Sequence, residues 1–144
     1  MRIFYVFDIR VEFRNLYKEN TFTLYSILRN IYYLSSANAT YGFNLFNQIV
    51  KQLDKQKLDN FLFLRLHQDI PYSKKGDKHF YNNLYKDEIS ILEVKKSFIK
   101  ITSEQNVTSF LSTLYLYNNN LFVCDFENYD YFFLEKAKKS CLID

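Results

Sequence analysis

The sequence predicts a single α/β domain over residues 1–144, with one mixed β-sheet and helices packed against it. Two patterns carry this expectation. Short apolar runs rich in Phe, Tyr, Ile and Val, at 3–9, 61–66, 89–94, 98–102, 121–126 and 129–134, read as strands. Segments around 24–31, 45–53 and 107–114, where apolar residues recur every third or fourth position, read as helices between them. At 144 residues the chain has one domain's length, enough to bury roughly 68–70% of its unfolded surface. With 48% hydrophobic residues, two Gly and one Pro, it is expected to be ordered and is no Gly/Pro-rich β-architecture.

Residues 3–9 open the chain as a central strand. Ile3, Tyr5 and Phe7 point to one face and Phe4 and Val6 to the other, so both faces should be covered. From Arg10 the period becomes helical: Phe13, Leu16 and Tyr17 share one side of a short helix, with Val11 nearly opposite. Asn20 and Thr21 cap a second helix on Leu24, Ile27, Leu28 and Ile31. A small polar connector, 35–40, precedes a third on Leu45, Phe46, Ile49, Val50 and Leu53, whose solvated face carries Lys51, Asp54 and Lys55.

Residues 61–66, apolar on both faces, read as a buried strand ending before His67. Pro71 and Lys74-Lys75-Gly76-Asp77 mark a loop, and 80–85 a short helix or turn. The runs 89–94 and 98–102 make a hairpin with Lys95-Lys96-Ser97 at its tip. Asn106 is placed to cap a helix on Val107, Phe110, Leu111 and Leu114 that ends at Asn118-Asn119-Asn120. Strands at 121–126 and 129–134, joined near Glu127-Asn128, lead into a basic tail from about 136 that includes Lys136, Lys138 and Lys139.

Several function classes find little support. A net charge of +3 is too weak to mark a strongly basic nucleic-acid binder. No apolar run approaches the ~18 residues of a membrane span, and no signal peptide is evident, so a cytoplasmic protein with reduced Cys124 and Cys141 and no membrane partner is expected. His67 and His79 lack the Cys or carboxylate spacing of a zinc site, and HExxH, GxSxG, GxGxxG and P-loop motifs are missing. We therefore expect no enzyme activity, no metal and no cofactor. His67 is assigned to a strand end, His79 to a polar loop, and Cys124, beside Asp125, to the core as a small hydrophobe.

Two binding readings remain. Ile3-Phe4-Tyr5-Val6 is similar to the first aromatic strand motif of RNA-recognition domains, but the second, basic-Gly-aromatic-Gly-aromatic, is missing. The alternative function is thus a single-stranded nucleic-acid-binding module using sheet aromatics and Lys residues. Phe13 and Tyr17, one turn apart, are by spacing the core-facing stripe of their helix. A partner-binding role would require the Val11 side to face the sheet, which would leave both rings and the flanking Arg10 and Arg14 as an exposed hot spot.

The chain resembles the sporulation inhibitor of replication (SirA) family. The likeness comprises the Tyr-bearing first strand followed by Glu12-Phe13-x-Asn15-x-Tyr17, the apolar run ending in His67-Gln68, Asp125-Phe126, and the closing aromatic strand at 129–134. This resemblance implies a small cytoplasmic α/β protein that binds domain I of the replication initiator DnaA and blocks initiation as sporulation begins, without binding DNA directly. It implies that Phe13 and Tyr17 make the contact. Arg14 stands where the family has Ala, and Glu135-Lys136 where it has Asn-Pro, so the rim of the interface differs here.

Overall fold

Strand β1 (Arg2–Phe7) runs through the middle of the sheet, and its side-chain alternation divides the protein into two layers. We describe residues 1–34, 38–104 and 108–137 from a computed structural model. The other strands are β2 (Tyr72–Lys75), β3 (Lys78–Asn83), β4 (Glu88–Val94), β5 (Ile99–Ser103), β6 (Phe122–Asp125) and β7 (Asp130–Phe133). The helices are α1 (Val11–Tyr17), α2 (Thr21–Tyr32), α3 (Ala39–Ile49), α4 (Lys55–Leu66) and α5 (Ser109–Tyr117). The protein is one α/β domain whose sheet order is β2-β3-β4-β5-β1-β6-β7.

Every described pairing is antiparallel, which corrects the expectation of a mixed sheet. The strands joined through helices, β1 to β2 by α1–α4 and β5 to β6 by α5, are not neighbours in the sheet, so neither connection makes a parallel pair. Tyr5 is paired with Lys100 on one side and Cys124 on the other, so β1 is central as expected.

Phe4 and Val6 join Leu92, Ile99, Ile101 and Val123 in a core covered by Leu58, Leu62 and Leu66 of α4 and by Phe110, Leu111 and Leu114 of α5. Phe7 and Ile9 face the opposite layer, with Phe122, Cys124 and Phe133 against Leu24, Tyr25 and Leu28 of α2 and Ile49 of α3. Burial on both sheet faces supplies the main stabilisation, at about 25 cal/mol per Å² of apolar area removed from water.

Three segments depart from the expected pattern. Residues 61–66 are not a strand but the second half of α4. The helix starts earlier, where Asp54 accepts a hydrogen bond from the Lys57 backbone N–H at 3.1 Å, and Leu58, Leu62 and Leu66 then form one buried stripe. Phe63 and Leu64 face solvent, so the apolar run includes residues from both sides of a helix. Asp54 and Lys55 therefore belong to α4, and the third helix stops at Ile49, after which Val50 bridges to Ile9. Asp54→Ala should cost about 1 kcal/mol, read as a melting point lower by roughly 3 °C with unchanged β-sheet signal.

The expected loop at 74–77 is a hairpin. Lys75 pairs with Lys78, and Gly76 takes the left-handed conformation (φ 62°) that a two-residue turn requires. Residues 80–83 continue β3, and only Leu84–Lys86 form a 3₁₀ turn. The cap of α5 is Thr108, whose hydroxyl accepts from the Phe110 N–H at 3.3 Å. Asn106 and Val107, residues 35–37 of the expected connector, and Cys141 with the tail from 138 lie outside the described residues, while Ala39 and Thr40 begin α3. The 88–103 and 122–133 hairpins match expectation.

Candidate partner-binding site

The junction from β1 into α1 is stitched to the end of α3. The Arg10 backbone N–H donates to the Ile49 carbonyl at 2.8 Å, the Lys51 N–H donates to the Asp8 carbonyl at 2.8 Å, and the Arg10 side-chain Nε–H donates to the Asn47 carbonyl at 3.1 Å. These bonds hold α1 across the α2–α3 layer at the surface. None of its seven residues is buried.

Within that helix the orientation is the reverse of the one that would display both rings. Phe13 and Tyr17 are half-buried and pack against the α2–α3 core, whereas Val11 is 48% and Leu16 65% exposed. The large rings have more area to bury than Val11, and they are one turn apart on one face. Leu16 lies about 100° around the helix from Tyr17 and so misses the core. The expected patch of two exposed rings is corrected: both rings turn inward, and Val11 and Leu16 are exposed on different sides of the helix. Phe22 on α2, 62% exposed, packs its ring against Tyr131 of β7. Sequence reasoning grouped Leu16 with the two rings and missed its exposure, because a short helix with two apolar sides does not declare which side is covered.

Arg10, at the N-cap of α1, is exposed, and Arg14, in its last turn, is half-exposed. With Glu12, Ile9, Val11 and Lys51 they line a depression of about 280 Å³. Burial pushes the nearby Asp8 carboxyl above its ordinary range, and the positive charges of Lys51 and Arg14 oppose the shift only in part.

The residues considered for catalysis lie elsewhere. His67 follows α4 at its C-terminal end, exposed, with its ring stacked on Phe63. His79 is not in a loop but in β3, with no solvent exposure. Its Nε2 lies 2.7 Å from Asp59 and its Nδ1 2.7 Å from the Tyr72 hydroxyl. Cys124 is fully buried, which pushes its thiol well above the ordinary range and away from nucleophilic thiolate chemistry. Burial alone would raise the Asp125 carboxyl, but hydrogen bonds from Asn128 and Arg2 outweigh it and hold the group below its usual range. Among the described residues, no three His, Cys, Asp or Glu side chains gather in a way that would hold a metal ion.

On the sheet, Tyr5 packs against Tyr32, Phe98 and Phe126 at centroid distances of 5.2–5.7 Å. Further along the same face, Ile3, Thr102, Ile91 and Phe80 form a cross-strand row beside Lys78 and Lys100, with none of these buried. No described helix is long and apolar enough to cross a membrane. The chain matches no protein-family model and no curated protein.

Proposed function

We propose that this chain is a protein-binding inhibitor of replication initiation that docks on domain I of DnaA through α1. One observation carries the reading beyond the resemblance: α1 holds four apolar side chains, Val11, Phe13, Leu16 and Tyr17, and the fold buries none of them fully. Half-exposed Tyr17 with Arg10 and Arg14 supplies residue types enriched in protein-contact hot spots, and Val11, Phe13 and Leu16 add apolar area around them. The mechanism is steric: α1 occupies a surface of domain I that the initiator needs for self-association or for loading its helpers. No catalysis and no cofactor are involved, and the setting is the cytoplasm.

The test is calorimetric titration of the purified chain against DnaA domain I of the same organism at two salt concentrations. Saturable one-to-one binding is expected, and Leu16→Ala and Phe13→Ala should each weaken it by tens of fold, on the order of 2 kcal/mol. Leu16→Ala is the cleaner variant, because its side chain is mostly outside the core and the melting point should hold. Phe13→Ala and Tyr17→Ala should also lower stability, since these rings support α1. Absence of binding would end the proposal.

Arg10→Glu should chiefly slow association, with an effect that shrinks at high salt, because a rim charge steers encounter. The second reading, a single-stranded nucleic-acid binder, draws on the uncovered row with Phe80, Lys78 and Lys100. It predicts affinity for an unstructured oligonucleotide that falls steeply with salt and is lost in Phe80→Ala.

A further inference from the structure

A cleft of about 410 Å³ opens between α2, α3 and the sheet, away from α1. That volume lies within the ~300–1,000 Å³ of small-molecule sites. Seven of its twelve lining residues carry aromatic rings, among them Tyr5, Phe7, Phe46, Phe98 and Phe126, and none carries a charge. Among the described residues, the polar side-chain groups of the lining are the hydroxyls of Tyr5 and Tyr32, 3.3 Å apart. Since one hydroxyl donates to the other, the pair keeps one O–H and free lone pairs to offer a guest. Gly42 lies in the wall, where a Cβ would clash with the Leu34 side chain, so the absence of a side chain there lets α3 close up to the end of α2.

From this lining we propose that the cleft binds a neutral aromatic small molecule that bears one hydrogen-bonding group. Ring-lined walls favour a flat aromatic guest through offset and edge contacts. Without a charged partner in the lining, an ionic guest would lose its hydration uncompensated, so the guest is neutral. Its polar group meets the Tyr5–Tyr32 hydroxyls. The inference is independent of α1 and of the DnaA reading.

The probe is N-phenyl-1-naphthylamine, a neutral aromatic with a single N–H whose fluorescence rises in apolar surroundings. Titration of the full chain should give a saturable rise at one probe per chain. Ala39→Phe, at an exposed position on the lining where a larger side chain fills the cleft without entering the core, should abolish it. Tyr32→Phe should weaken it about fivefold through loss of one hydrogen bond. Circular dichroism of both variants should match the parent. A rise that does not saturate, or one that Ala39→Phe leaves unchanged, overturns the site, and equal affinity in Tyr32→Phe overturns the assigned hydrogen bond.

Discussion

Glu88→Ala should lower the melting temperature by roughly 10 °C, corresponding to about 3 kcal/mol or more. Glu88 begins β4 and is only 3% exposed. Its carboxylate accepts from the Ser90 hydroxyl at 3.0 Å, the Thr108 hydroxyl at 3.1 Å, the Ser109 N–H at 2.9 Å and the Ser109 hydroxyl at 2.7 Å. Four donors therefore converge on one buried side chain, and they connect the sheet to the first turn of α5. A carboxylate also complements the positive end of that helix. Truncation removes all four bonds at once, while Glu88→Gln keeps the shape but turns one acceptor into a donor aimed at other donors. Its loss should be intermediate. Urea unfolding followed by circular dichroism reads both, and a Glu88→Ala midpoint equal to the parent's would mean that this cluster does not hold α5.

The second large effect is a dependence of stability on mild acid. His79 is enclosed by Tyr72 and Asp59, whose arrangement assigns the neutral tautomer: Nε2–H donates to the Asp59 carboxylate and the Tyr72 hydroxyl donates to Nδ1. Burial pushes the Tyr72 phenol up to about 12, so it stays a donor. Burial likewise lowers His79 below its ordinary 6.5, and the attraction of Asp59 does not compensate. In this pair the unfolded chain takes up the proton first. The stabilisation is complete above about pH 6.5 and is lost as the pH falls from there through the lower folded value.

Protonation costs more than charge burial, since an Nδ1–H can no longer accept from Tyr72. Parent protein should thus show a lower urea midpoint at pH 5 than at pH 7.5. His79→Phe should lose about 2–4 kcal/mol at pH 7.5, from one neutral and one charge-assisted hydrogen bond, and should flatten this pH slope. Should that variant fail to fold, Tyr72→Phe serves: it keeps the buried imidazole and its acid sensitivity, and loses only the phenol bond. A parent midpoint that does not move between the two pH values would sink the assignment. Asp125, held low by Arg2 and Asn128, acts in a separate window. Its contribution is present above about 3.8 and lost on further acidification, so it does not blur the His79 slope.

Much of this architecture is local and was legible in the residues. β1, the 88–103 hairpin, the closing hairpin and helices α2 and α5 follow from periods of two and of about 3.6, which a side chain's immediate neighbours in the chain enforce. The sequence by itself thus determined the fold class, the central position of the first strand, the two-faced division of its side chains and the burial of Cys124.

Tertiary structure decided the rest, because the deciding partners are distant. The run at 61–66 carries apolar residues on every side, and only the packing of Leu58, Leu62 and Leu66 beneath the sheet selects helix over strand. His79 has Lys78 before it and a turn close by, which reads as a loop; its true environment comes from Asp59, 20 residues earlier and on another element. Likewise Glu88 meets its α5 partners from 20 and 21 residues away. In α1 the spacing placed Phe13 and Tyr17 together but left open which side of the helix was covered. Competition for buried area among α1, α2 and the sheet settled that question, turning the rings inward and leaving Val11 and Leu16 on the surface.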